Sequence, residues 1–131
     1  MTSSELTKTK RIDMKNYYHK WPNTERSIIT DDNTLSAVAL DVYRNEDVDD
    51  IIKAGDGFIW GLFVEEPHRG QGIGRALLQR AETIAKDSGC KRVFLDWSCK
   101  ESSEWVRQWY ERSGYEEVGF SGDKILLQKY L

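Results

Sequence analysis

GFIWGLFVEEPHRGQGIGRALLQRAETIA, residues 57–85, decides how this chain folds. It opens with an apolar run, Phe58 to Val64, and turns through a charged loop, Glu65-Glu66-Pro67-His68. Arg69-Gly70-Gln71-Gly72-Ile73-Gly74 then leads directly into a helical pattern. Ile73, Leu77, Ala81 and Ile84/Ala85 recur on one stripe of that helix, while Arg75, Gln79, Glu82 and Lys86 lie mostly away from it. A strand, a glycine-rich turn and a helix in this order make an anion site. The glycines let backbone approach a ligand, and the first helical amides have no partner within the helix. Those amides and the helix dipole favour a phosphate. No Gly-Lys-Ser/Thr closes the turn, so it is not a P-loop. The even spacing of Gly70, Gly72 and Gly74 is not the Gly-x-Gly-x-x-Gly of a dinucleotide site.

Working outward, residues 1 to about 10 are polar and expected to form a loose tail. Arg11 to Trp21 is ambiguous between strand and short helix and ends at Pro22-Asn23. Glu25 to Thr30 and Leu35 to Tyr43 are expected strands, the second with one apolar face, joined by a turn at Asp31-Asp32-Asn33. Asp47 to Ala54 has the pattern of a short helix. Phe58 to Val64 lacks alternation, as in a strand covered on both faces. Arg92 to Trp97 is a further strand, and strand, helix, strand implies a right-handed crossover with a parallel pair. Ser102 or Ser103 can cap a helix running to about Arg112. Tyr115 to Phe120 and Lys124 to Tyr130 form a final hairpin.

At 131 residues the chain is expected to form a single domain, 1–131. A hydrophobic fraction of 39% with five Trp and six Tyr suits a packed core. The net charge of -3 argues against nucleic-acid binding through phosphates. The longest apolar run is far short of the roughly 20 residues of a membrane helix. No signal-peptide pattern opens the chain, and Cys90 and Cys99 show no metal-ligand spacing. These features lead to the expectation of a cytoplasmic protein with reduced thiols, no membrane association and no bound metal.

Arg69-x-x-Gly72-x-Gly74 resembles the acetyl-CoA-binding motif of the GNAT N-acetyltransferase superfamily, Gln/Arg-x-x-Gly-x-Gly/Ala. A second stretch, Trp109-Tyr110-Glu111-Arg112-Ser113-Gly114-Tyr115, resembles that family's Phe-Tyr-Glu-x-x-Gly-Phe. The two matches span about residues 57 to 120. The resemblance implies an α+β GNAT fold: a central, mixed, twisted sheet of about six to seven strands flanked by helices on both faces. Two departures stand out. There is little room for helix before Glu25, and Ser103 stands where many relatives have Asn.

The resemblance also implies a chemistry. The amides of Gln71 through Arg75 and the Arg69 side chain would hold the pyrophosphate of acetyl-CoA. Leu62, Phe63 and Val64 would pair with the pantetheine arm, and Ser103 would lie near it. The implied cofactor-binding set is therefore Leu62, Phe63, Val64, Arg69, Gly70, Gln71, Gly72, Ile73, Gly74, Arg75 and Ser103. Tyr110 occupies the general-acid position, although an aromatic at that spacing can equally be core. Relatives often carry a Glu base on the fourth strand. Phe58 to Phe63 offers none, leaving Asp56, Glu65, Glu66, Asp96 or bulk water. Asp96 interrupts an apolar strand and is the residue put forward as base or amine ligand. Gly61 is either a bulge at a splay between strands or a weak strand position under Trp60. Trp21, Trp60 and Trp97 line the pocket or belong to the core, and His68 is expected to face solvent. Eight acidic residues between Asp31 and Asp56 are a solvated face or the rim of a site for a cationic amine.

The implied function is acetyl-CoA-dependent N-acetyl transfer to a primary amine of a small molecule or peptide, by direct attack in a ternary complex. The alternative is a non-catalytic acyl-CoA-binding module that acts as a sensor. A homodimer is expected from the habits of relatives.

Overall fold

The computed structural model describes residues 14–131. The loose tail expected over residues 1 to about 10 lies outside them. Among the described residues, seven strands form one sheet: β1 (Met14–Lys20), β2 (Thr24–Asp31), β3 (Ser36–Tyr43), β4 (Gly57–Phe63), β5 (Arg92–Ser98), β6 (Glu116–Ser121) and β7 (Lys124–Tyr130). Their order is β1-β2-β3-β4-β5-β7-β6, with β4 and β5 parallel and every other neighbour antiparallel. Helix α1 (Ile73–Asp87) joins β4 to β5, and α2 (Glu104–Arg112) joins β5 to β6. A mixed sheet flanked by helices is the α+β architecture that the motifs imply. The ambiguous segment before Pro22 resolves as strand β1.

The decisive feature is how little of β4 pairs with β5. Only Gly57↔Val93 and Phe58↔Phe94 are in register. A Cβ at Gly57 would meet Val93 Cγ1 at 3.0 Å and Leu40 Cδ1 at 3.2 Å, tighter than ordinary contact, so glycine suits the close approach of the strands at this end. Beyond it the strands part. β5 stays with β7 from Arg92 to Ser98, and β4 stays with β3. The β3–β4 register shifts between Ala37↔Phe63 and Ala39↔Trp60, and Gly61 sits at φ +65°. Gly61 is therefore a bulge that bends β4 away from β5. This choice was open in the sequence, because a bulge glycine and a packing glycine look alike there.

The core lies between the sheet and the helices. Leu77, Ala81 and Ala85 of α1 are fully buried with Val38, Leu40, Val93 and Leu127 from the strands. Val106, Trp109 and Tyr110 of α2 pack on the same cluster. Alternation along β5 turns Arg92, Phe94 and Asp96 to the other face. There the connection from Arg44 to Asp56 lies against the sheet. Arg92 donates to the Ile51 carbonyl at 2.7 Å, and Ile52 is buried.

Two local expectations are corrected. Asp47 to Ala54 is not a helix. Asp49 accepts from the amides of Ile51 and Ile52, at 2.8 and 2.7 Å, and Asp47 from that of Ala54 at 2.9 Å. These side-chain bonds satisfy the backbone in turns instead. β3 has the expected apolar face, Val38, Leu40 and Val42, in the core, and its other face is also covered, with Ala39 and Asp41 buried. β4 is covered on both faces only at its start. Trp60, Gly61 and Phe63 are exposed, since the neighbour that would cover them has splayed away.

Candidate active site

The splay opens into a cleft of about 740 Å³, within the usual range for small-molecule sites. One wall is the end of β4 and the loop after it, with Leu62, Phe63 and Val64. A short turn, Glu66–His68, brings the chain round, and Arg69 Nε donates to the Val64 carbonyl at 2.9 Å. Arg69 thus fastens the loop, and it also lines the cleft. Gly70 and Gly72 follow at φ +80° and +81°, with no atom within 4 Å of where a Cβ would stand. Gly72 is the N-cap of α1 and no side chain caps the helix. The first helical bond is that of the Ala76 amide to the Gly72 carbonyl, at 3.0 Å. The amides from Gln71 to Arg75 therefore have no helical acceptor and make an anion cradle. A Cβ at Gly74 would touch Val64 at 3.5 Å and Trp109 at 3.9 Å, so glycine seats the helix start against both walls.

The opposite wall is α2 with the loop before it. Ser98 Oγ donates to Asp123 at 2.9 Å and accepts from the Lys100 and Glu101 amides, which shapes the turn. Trp97 Nε1 donates to the Ser103 carbonyl at 2.9 Å and fixes where the helix begins. Ser103 is the N-cap residue, but its side chain makes no cap hydrogen bond, so the capping role read from sequence is corrected. The residue itself lines the cleft. Trp105 and Trp109, one turn apart, line the cleft with Val106 and Tyr110. That i, i+4 aromatic pair was legible as spacing but was not assigned to the site.

Tyr110 is half-buried, in ring contact with Trp109 (5.3 Å) and Tyr115 (6.1 Å). Burial raises its pKa above the ordinary tyrosine value, and the Asp96 charge raises it further. It is thus held as a neutral phenol. Asp96 is exposed on the opposite face of β5, beyond the paired end of the splay. The two are close enough to interact electrostatically.

The cleft collects the sequence-predicted Leu62, Phe63, Val64, Arg69, Gly70 and Gly72, and also Ile73, Gly74, Arg75, Ser103 and Tyr110. Gln71 sits between two lining glycines without lining the cleft itself, and Asp96 lies outside it. His68 is half-buried and lines the cleft, contrary to the expectation of solvent exposure. The turn after Pro67 directs it inward.

Other expectations change too. Asp56 is buried, paired with Arg92 at 2.9 Å and bonded by the Lys53 amide at 2.7 Å, so it is not placed as a base. The acidic run is mostly committed to structure: Asp41 to Arg26, Asp31 to the Thr34 hydroxyl, Asp32 to Lys15, and Asp47 and Asp49 to turns. Trp97 is buried, whereas Trp21 and Trp60 hold the Arg26 guanidinium at 5.2 and 4.8 Å from their ring centroids.

A family model described as Acetyltransferase (GNAT) family matches residues 2–115. The chain belongs to this family. It is similar to a spermine/spermidine N(1)-acetyltransferase of Bacillus subtilis (strain 168), with 28% identity over 80 residues. That match covers 56% of this chain and 51% of the relative, so the chain spans about half the length of the curated protein it resembles. In fold it is similar to the PaiA N-acetyltransferase from Thermoplasma acidophilum, solved in complex with coenzyme A. The TM-score is 0.63 at 19% identity, over 83% of this chain and 62% of that one. An acetyltransferase from Bacillus cereus aligns more fully, over 98% of this chain and 91% of that one, with TM-score 0.60 and 21% identity.

Proposed function

We propose that this chain transfers an acetyl group from acetyl-CoA to a primary amine of a small molecule or peptide, by direct attack in a ternary complex. The observation that carries the reading is one cleft with an anion cradle at one end and a neutral phenol beside a strand splay at the other. The residues fit the coenzyme's parts. The amides of Gln71 to Arg75 and the Arg69 guanidinium suit a diphosphate. The edge of β4 that faces the splay has backbone groups unpaired with β5, and these suit the amides of a pantetheine arm.

When bound, acetyl-CoA supplies an activated acyl group on sulfur. Tyr110 would give its hydroxyl proton to the departing thiolate, and its raised pKa keeps that proton available at neutral pH. Asp96 would hold or deprotonate the incoming amine from the other side of the opening. A direct attack needs no nucleophile from the chain.

The acceptor we favour is a cationic amine. Support comes from the Bacillus subtilis relative, whose name gives spermine and spermidine as its substrates, and from Asp96, which has no hydrogen bond or ion pair among the described residues. The test is CoA release measured with spermidine and a panel of other primary amines. Turnover with one class of amine is expected. Retained acetyl-CoA binding with no release for any amine would favour the acyl-CoA sensor instead.

A further inference from the structure

Two titratable groups behind the cleft take no part in the chemistry derived above: Glu82 of α1 and Tyr115, in the turn after α2. Helix α2 carries Tyr110, yet none of its own side chains reaches full burial. Tyr115 is 3% exposed. Its amide donates to the Tyr110 carbonyl at 3.2 Å, and the two rings meet edge to face with centroids 6.1 Å apart. Tyr110 is therefore placed by whatever holds Tyr115. That hold comes from the far side. The Tyr115 hydroxyl donates to Glu82 Oε2 at 2.7 Å, and Lys129 Nζ donates to Glu82 Oε1 at 3.0 Å. Lys129 passes close under the turn at Gly114, where φ is +102° and a Cβ would stand 3.2 Å from Lys129 Cε. Its ammonium also lies 5.7 Å from the Tyr115 ring centroid. The Glu82 side chain is only 12% exposed, so the pair is shielded from solvent. Burial, and then the Glu82 charge, raises the Tyr115 pKa well above the ordinary tyrosine value, so the hydroxyl stays a donor.

One carboxylate thus joins α1, the turn after α2 and β7. A phenylalanine at position 115 would fill the same space. The hydroxyl adds a directed bond to α1, the helix whose first amides form the anion cradle. Glu82 lies about two turns beyond Arg75, roughly 10 Å along the same axis. Cradle and tie are parts of one rigid element. We infer that Glu82 and Tyr115 are positioning residues, which hold the Tyr110 phenol at a set place relative to the cradle. This rests on the reading of Tyr110 as the proton donor to the departing thiolate. A misplacement of about 1 Å can cost about 100-fold in rate, so an acid on a helix without a fully buried side chain gains from such a tie.

The experiment measures CoA release from acetyl-CoA, with the amine of the panel that turns over fastest, for Tyr115→Phe made in the unaltered chain and in Tyr110→Phe. In the unaltered chain Tyr115→Phe is expected to lower kcat about tenfold. Its acetyl-CoA affinity by calorimetry should stay the same, which also reports that the fold is intact. In Tyr110→Phe there is no acid left to place, so the same substitution should lower kcat no further. Glu82→Ala should repeat this pattern, and Glu82→Gln, which still offers the phenol an oxygen, should recover most of the loss. An equal fall in both backgrounds, or no fall in either, would overturn the inference and leave Tyr110 as the acid. A loss of acetyl-CoA affinity that matches the fall in kcat would make the network part of the scaffold and overturn it as well. Full activity in Tyr110→Phe alone, or no release by the unaltered chain with any amine, would remove the acid reading itself, and this inference with it.

Discussion

The two faces of the sheet are built by different physics. On the helix face, Leu77, Ala81 and Ala85 close on Val93 and Leu127 with no exposed surface, and the polar groups offered to a ligand are mainly backbone amides at the start of α1. On the other face, order comes from charged pairs and turns: Arg26 with Asp41, Arg92 with Asp56, and Asp47 and Asp49 with their own backbone. Apolar packing is insensitive to which residue of the right size fills it. Amides held by such packing can serve the same ligand in many sequences. A face assembled from specific pairs changes with each substitution. On the proposed reading, the coenzyme would be held by what the fold provides, and the acceptor by what this sequence adds.

The hardest blow to that division falls on the helix face, at Tyr110. Tyr110→Phe keeps the ring and its contacts and removes the proton. It is expected to lower kcat by about two to four orders of magnitude, with CoA affinity unchanged. The pH profile adds a second check. The acid works only while protonated, so activity falls as pH rises through its pKa. Because burial and Asp96 raise that pKa above 10.0, the alkaline limb from this group should lie above pH 10. An unchanged kcat in Tyr110→Phe would make the residue a core aromatic and nothing more.

Next in size is the cradle itself. Gly72→Asp puts a carboxylate into an anion site and a side chain at φ +81°. Coenzyme affinity should fall by about 100-fold, while the backbone strain costs about 1 kcal/mol of stability. Gly72→Asn separates charge from shape, because asparagine tolerates the left-handed region equally well. An Asn variant as weak as the Asp variant would mean that the ligand needs the space and not the field.

The same contrast explains what could be read from the sequence. The strand–turn–helix at Gly57–Ala85 and the second motif at Trp109–Tyr115 were legible, since glycine at a left-handed turn and apolar residues at helical spacing are local signals. The parallel pair followed from chain order. At Gly61 two readings stayed open, because a bulge glycine and a packing glycine look alike until the register of β3 against β4 is known. The Asp47–Ala54 segment misled because its apolar spacing is helical, while Asp47 and Asp49 offer the backbone closer acceptors. His68 was misjudged because a loop residue's direction depends on the turn that carries it. The acidic run looked like one feature, yet its members bond to separate partners that only the fold brings near.

The polar face can be tested alone through Asp56. Both its oxygens accept from Arg92, and the Lys53 amide bonds it as well. Its side chain is almost fully buried, so the pair cannot be replaced by water at no cost. Asp56→Asn leaves one acceptor oxygen and turns an amide hydrogen toward a donor. A loss of about 2 kcal/mol in unfolding free energy is expected, read from denaturant melts. Asp32→Asn removes the same charge at the exposed Lys15 pair and should leave the midpoint unchanged. Coenzyme affinity in folded Asp56→Asn should match that of the unaltered chain, because the cradle hangs on the other side of the sheet. Loss of stability and affinity together would mean that the paired end of β4 and β5, where Arg92 begins its strand one residue before Val93, transmits strain into the splay. The two faces would then be one mechanical unit, and the acceptor side could tune the coenzyme side through the same strands.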